Sequence, residues 1–248
     1  NELSAYPIEV VKQDDANAPV AGAVFGIYDN ADAEGEAIEE ITTNAQGIAT
    51  STALKPGTYY VKELSAPNGY IADTTTVTTV VIAIGNEGNA KFMVERENER
   101  VAYPIEVVKQ DDANAPVAGA VFGIYDNAAA EGEALEEIVT DAEGVAVSAN
   151  TYKPGTYYVK ELSAPAGYIP DLTEITEVLI AIGNEGNETV AINRVNERKS
   201  YPIQVLKTDA ESGAPLAGAV FTISQDDEVL ETITTDAQGV AVSGNAYK

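Results

Sequence analysis

The chain repeats itself, and the length of the repeat limits what it can fold into. Residues Tyr6–Asp29, YPIEVVKQDDANAPVAGAVFGIYD, recur unchanged at Tyr103–Asp126, and a diverged copy, YPIQVLKTDAESGAPLAGAVFTIS, begins at Tyr201. KPGTYYVKELSAP fills Lys55–Pro67 and again Lys153–Pro165, and AIGNEGN fills Ala83–Asn89 and Ala181–Asn187. The period is 97 positions from Tyr6 to Tyr103 and 98 from Tyr103 to Tyr201. That is too long for a solenoid unit and suits one small autonomous domain. The expected organisation is two complete domains, 1–99 and 100–198, and the first half of a third, 199–248. Asn1 matches Asn98 and Asn196 in position, so the sequence reads as a window cut from a longer array.

Within each copy the signals are those of strands. Ile8, Val10 and Lys12 alternate with Glu9 and Val11, and Phe25 and Ile27 alternate with Val24, Gly26 and Tyr28. Thr58–Glu63 and Thr76–Ile84 are rich in β-branched and aromatic residues. Turn residues separate these runs at Asn17–Pro19, Asn44–Gly47, Lys55–Gly57, Pro67–Gly69 and Gly85–Gly88. The pattern predicts an all-β chain of tandem Ig-like β-sandwich domains, each of about seven strands. One short helix is expected in the acidic stretch Ala31–Ile41. The linkers NERVAY (Asn98–Tyr103) and NERKSY (Asn196–Tyr201) contain no glycine, so a semi-rigid rod is expected in place of a flexible coil.

Composition removes several function classes. A net charge of −26 opposes nucleic acid and anionic membrane, and no apolar run is long enough to span a bilayer. The absence of Cys and His removes disulfides, thiolate chemistry, imidazole catalysis and the common zinc sites. The acidic loop Asp29–Glu36 reads as solvated, since its Asp32 becomes Ala129 in the second copy; no metal or cofactor is expected. The GNEGN segments read as hairpin turns. The Asn187-Glu188-Thr189 sequon has no counterpart at Asn89-Ala90-Lys91 and is discounted.

Three polar residues per repeat sit in apolar strand contexts. Lys12 shares a face with Ile8 and Val10, Glu63 shares one with Tyr59 and Val61, and Asn98 ends the last strand after FMVERE. The second copy matches them with Lys109, Glu161 and Asn196. A buried charge requires a partner, so two inward charges per domain are unlike ordinary surface residues. Lys62 and Lys160 should face outward. Strict alternation also places Arg96 and Arg194 on the Asn98 and Asn196 face, which calls for a bulge or a position beyond the core. Asn193 is a rival acceptor to Asn196, but its counterpart is Glu95.

At these residues the chain resembles the Cna-B family of Gram-positive surface proteins, also called SpaA-like or prealbumin-like domains. The motifs are VVKQDDANAPVAGAVFGIYD, the TTNAQG turn at Thr42–Gly47, and KPGTYYVKELSAPNGY, which resembles the family's E-box with Glu63 and Glu161 at its acidic position. The resemblance implies a reverse-Ig sandwich and an intramolecular isopeptide bond between first-strand Lys and last-strand Asn, promoted by that Glu. Lys12–Asn98 and Lys109–Asn196 are the expected links. Burial would lower the lysine pKa and raise the glutamate pKa so that both sit neutral. Lys207 is the unpaired equivalent in the third copy, which stops before any E-box. Either its remainder is missing from this sequence or strands of a neighbouring molecule complete it.

The function implied is a structural stalk repeat of an adhesin or fibre on the bacterial cell surface, outside the cell and anchored to the wall through a segment not present here; it is not an enzyme. The expected partners are neighbouring repeats of the array and a host or cell-surface ligand at a fibre tip beyond this sequence. A pilus shaft is the second reading: a YPK-type lysine and an LPxTG-type signal are not in this stretch, where the sequence reads YPI and ends AYK. An adhesive module is the third, and nothing specific to one copy marks a groove for it.

Overall fold

The computed structural model describes residues 4–85, 91–183 and 190–248. Asn1, most of the two GNEGN segments and the Asn187 sequon lie outside the described residues.

Repeat 1 forms β1 (Ile8–Asp14), β2 (Val24–Tyr28), β3 (Glu39–Thr42), β4 (Ile48–Thr50), β5 (Gly57–Ser65), β6 (Tyr70–Ile71), β7 (Val77–Ile82) and β8 (Phe92–Arg100). Two four-stranded sheets result, ordered β4-β1-β8-β6 and β3-β2-β5-β7. The first and last strands pair in parallel, from Ile8 opposite Phe92 to Asp14 opposite Asn98, and the other pairings are antiparallel. Repeat 2 copies this plan with β9 (Ile105–Asp111), β10 (Val121–Tyr125), β11 (Glu136–Val139), β12 (Val145–Val147), β13 (Gly155–Ser163), β14 (Tyr168–Ile169), β15 (Ile175–Ile180) and β16 (Val190–Arg198). Each sandwich thus has eight strands against about seven expected; the addition is the two-residue strand after the Pro-Gly turn.

The alternation read from the sequence becomes burial. Ile8, Val10, Phe25, Ile27, Val61, Val80, Ile82 and Val94 fill the space between the two sheets of repeat 1, with the equivalent residues in repeat 2. The helix expected in Ala31–Ile41 does not form: Glu39–Thr42 is strand β3, and the residues before it are a loop. In that loop the Asn30 side chain accepts from the Glu34 N–H and donates to the Glu34 carbonyl, satisfying the backbone without a helical turn.

Repeat 3 contributes β17 (Tyr201–Leu206), β18 (Val220–Gln225), β19 (Glu228–Thr234) and β20 (Val240–Tyr247), paired as β17-β20 and β18-β19. Asp226 and Asp227 both take positive φ and close a tight hairpin where the other repeats carry the acidic loop. Each sheet has two strands, and Leu206, Val220, Val229 and Val242 stay more than half exposed. The apolar faces of these two-stranded sheets are therefore largely uncovered.

One turn ties fold to site. Gly47, at φ +73°, closes the TTNAQG turn, and its carbonyl accepts the Lys12 N–H at 2.7 Å. A Cβ there would lie 2.3 Å from the Lys12 carbonyl oxygen, whereas one at Gly35, also left-handed at φ +85°, would meet nothing within 4 Å. Gly35→Ala should therefore cost about 1–2 kcal/mol of backbone strain alone. Gly47→Ala should cost clearly more, seen as a larger fall in the thermal midpoint of repeat 1. Equal falls would show that the contact with Lys12 is unimportant.

Candidate functional site

The register of the parallel pair builds the site. Lys12 lies opposite Arg96, and Asn98 is two residues further along β8, so Lys12 and Asn98 are diagonal neighbours on one face. Glu63 reaches the same space from β5 in the facing sheet, next to Phe25 on β2. Lys12, Glu63, Lys109 and Glu161 are fully buried, and Asn98 and Asn196 nearly so.

Within repeat 1, Asn98 Nδ2 donates to Glu63 Oε1 at 2.7 Å, and Lys12 Nζ stands 4.0 Å from Glu63 Oε2. Within repeat 2, Asn196 Nδ2 donates to Glu161 Oε1 at 2.6 Å. The outer carboxylate oxygens accept backbone N–H groups, from Asp73 to Glu63 at 3.3 Å and from Asp171 to Glu161 at 3.1 Å. Lys12 Nζ, Asn98 Oδ1 and Asn196 Oδ1 are buried without a hydrogen-bond partner. Lys109 Nζ has only a long contact, 3.4 Å, to the Gln110 carbonyl. Unpartnered polar atoms in a core are costly, and these belong to the amines and carboxamides at the centre of each site.

Burial lowers the Lys12 pKa to about 8; the Glu63 carboxylate opposes the shift and the Arg96 guanidinium adds to it. Lys109 is lowered to about 8 in the same way, with Glu161 opposing and Arg194 reinforcing. A primary amine with that pKa is about a tenth neutral at pH 7 and so a competent nucleophile.

Some residues are placed differently from expectation. Arg96 and Arg194 do share the face of Asn98 and Asn196, yet β8 runs in unbroken register with β1, and β16 with β9, so no bulge is needed. Their side chains are buried instead. Arg96 pairs with Asp73 at 2.9 Å, and Arg194 donates to Thr176 Oγ1 at 3.0 Å and lies over the Phe122 ring. Asn193 is exposed on the opposite face and cannot reach Lys109. Lys62 and Lys160 sit on the outward faces of β5 and β13, partly exposed. Lys207 is exposed, and its Nζ contacts only the neighbouring Thr208 carbonyl, at 3.3 Å. Asp73 supports the site and was not singled out from the sequence; Gly47 was read there only as part of the TTNAQG turn, which recurs as TDAEG and TDAQG, and not as a contact of Lys12. Among the described residues no group of three or more Asp or Glu side chains is arranged to hold a metal ion.

Residues 7–99, 104–196 and 201–246 each match the SpaA prealbumin-like fold domain. The chain belongs to that family. Among its relatives, the trypsin-resistant surface T6 protein of Streptococcus pyogenes serotype M6 is 42% identical over 121 residues, 48% of this chain and 21% of that protein. Among solved structures, the TIE protein of Bacillus anthracis superposes with a TM-score of 0.56 at 27% identity, covering 98% of this chain and 43% of that one. The chain thus spans about a fifth of the T6 protein and under half of the TIE chain. The all-β, tandem-sandwich expectation and the family resemblance both hold.

The lysine shift has a measurable sign. With Asn98 replaced by alanine, Lys12 keeps a free amine whose folded pKa is about 8, against an ordinary 10.5. Between those values the unfolded chain binds the extra proton, so stability should rise with pH across that window and be flat in this term below it. Chemical denaturation of Asn98→Ala from pH 7 to 10.5 should show the rise, and adding Lys12→Met should remove it. An identical pH profile for both variants would contradict a desolvated Lys12.

Proposed function

We propose that each complete repeat closes on itself through an isopeptide bond, Lys12 to Asn98 and Lys109 to Asn196, and that the chain is part of the shaft of a fibre on the bacterial cell surface. The observation that carries the reading is the placement of one buried carboxyl group between amine and carboxamide, with the lysine nitrogen and the Asn98 oxygen otherwise unpartnered.

The chemistry balances with the residues present. Neutral Lys12 Nζ attacks Asn98 Cγ, and the Nζ–Cγ bond forms. The Glu63 carboxylate takes one proton from the incoming nitrogen and passes that same proton to Nδ2, which leaves as ammonia when its bond to Cγ breaks. Glu63 thereby serves the leaving nitrogen, since it is Nδ2 and not Oδ1 that meets its carboxylate. The two sheets hold the reacting groups together, so proximity supplies much of the rate. Glu63 acts once and turns over no outside substrate, which makes this maturation and not enzymology.

Position gives the bond its mechanical meaning. It would join the first strand to the last, so tension entering through β1 leaves through β8 without passing through the rest of the sandwich. A closed loop of this length constrains the unfolded chain by roughly 4–5 kcal/mol if the loop-entropy relation for disulfides carries over. Unlike a disulfide it survives reduction. The similarity to a streptococcal surface protein whose name records trypsin resistance agrees with an extracellular fibre. Neighbouring repeats are then the immediate partners.

Intact mass tests the reading. The mass should fall below that of the sequence by about 17 Da, one ammonia, for each linked repeat, hence twice in the whole chain. Glu63→Ala should restore one of these losses and Glu161→Ala the other, each leaving the other repeat linked. A mass equal to the unmodified sequence would overturn the proposal.

A further inference from the structure

A second set of charges meets where one repeat hands over to the next. β8 ends at Arg100 and β9 begins at Ile105, so residues 101–104 alone connect the first two sandwiches. At this boundary Asp15, in the turn after β1, accepts a 2.6 Å bond from Arg100 Nε of its own repeat and another from the Lys153 ammonium of the following repeat. Arg100 also reaches across, its Nη1 donating to the Pro154 carbonyl at 3.4 Å. The second boundary repeats the arrangement: Asp112 accepts from Arg198 Nε at 2.7 Å and from Lys248 of the third repeat. Lys153, then Arg100, holds the Asp15 carboxyl below its usual range, and Lys248, then Arg198, does so for Asp112.

Shape adds to charge at the first boundary. Gly69, at φ +87°, lies in the turn before β6, and a Cβ on it would sit 2.4 Å from the Gly183 nitrogen and 2.7 Å from Ile182 Cγ2 of repeat 2. Its counterpart Gly167, at φ +96°, has nothing within 4 Å. The glycine at the first boundary therefore allows a backbone of one repeat to rest on a turn of the next.

We propose that Asp15 and Arg100 form a socket at the end of one repeat that recognises the Lys-Pro-Gly loop of another, fixing the orientation of successive repeats so that they do not hinge at the linker. A single exposed ion pair contributes little, but here the linker keeps plug and socket at high effective concentration and several contacts close together. The elements can be followed along the sequence. Counted from the first-strand lysine, the socket acid is Asp15 and Asp112, and Ala210 takes its place in the third repeat, which therefore lacks the acceptor. Lys55-Pro56-Gly57 carries the plug in repeat 1, with Lys55 exposed, and fits the Asp–Arg end of another copy of the repeat.

The cysteine-free chain allows a clean test. Spin labels on Glu40→Cys and Glu137→Cys, two equivalent exposed positions, report the distance between repeats 1 and 2 by pulsed electron resonance. The parent chain should give one narrow distance distribution. Asp15→Ala should lose the narrow peak, and Lys153→Ala, which alters only an exposed side chain, should do the same with the thermal midpoints of both repeats unchanged. Gly69→Ala should shift the distance, whereas Gly167→Ala, with the same backbone strain and no contact, should not. A broad distribution in the parent chain, or a narrow peak unaltered by Asp15→Ala and Lys153→Ala, would overturn the proposal. The labels report only repeat-to-repeat geometry, so the outcome does not depend on whether the internal bonds form.

Discussion

The structure turns on a lysine amine buried opposite a carboxylate and a carboxamide. Placing Lys12 in the core of a small sandwich costs free energy unless its charge is paired or lost. Its distance from Glu63, 4.0 Å, is too long for a hydrogen bond, and Asn98 spends its donor on the carboxylate and not on the amine. Pairing alone therefore leaves the site unsatisfied. The proposed condensation of amine and carboxamide would remove the charge and give the unpartnered lysine nitrogen a covalent partner.

Everything needed to set this up is strand geometry. Parallel pairing of β1 with β8 brings the two ends of a repeat side by side, and a register without bulges puts Lys12 and Asn98 diagonally on one inner face. The facing sheet brings in Glu63, the Asp73 N–H orients its outer oxygen, and Arg96 bound to Asp73 encloses that side of the site. Gly47 lets the turn between β3 and β4 press on the backbone of Lys12. Repeat 2 reproduces the strand register, the Asn196–Glu161 bond and the Asp171 N–H contact, but there Lys109 Nζ turns to the Gln110 carbonyl and Arg194 pairs with Glu174 in place of the Asp73 equivalent. In repeat 3 the equivalent lysine, Lys207, is exposed.

Much of this was legible in the sequence because sandwiches write their faces as a period of two. Ile8, Val10 and Lys12 inward, and Tyr59, Val61 and Glu63 inward, follow from alternation alone, and the repeat doubled each signal. Alternation does not reveal how long side chains end. Arg96 was correctly placed on the inner face, yet only the three-dimensional path to Asp73 and to the edge of β7 explains how a guanidinium is accommodated there. Asp73 acts through its backbone N–H, which no residue pattern announces. The Ala31–Ile41 stretch looked helical by composition, and it became a loop and a strand because β2 needed a partner on that edge. The joint between repeats was hidden for another reason: its acid and arginine lie 85 or 86 residues apart at the two ends of one repeat, and the lysine, 138 or 136 residues from the acid, meets them only when two domains are stacked.

The central claim is that each complete repeat is covalently closed, and stretching a single molecule tests it most directly. Pulled from its ends, a closed repeat bears force through the Lys–Asn bond, so repeats 1 and 2 should add no length while repeat 3 opens at low force. If the bonds are absent, the 86 residues from Lys12 to Asn98 and the 87 from Lys109 to Asn196 would be released in two steps. Each step would be about 300 Å at the extended-chain limit. A trace without those steps is the result the account predicts, and two such steps in the unsubstituted protein would contradict it.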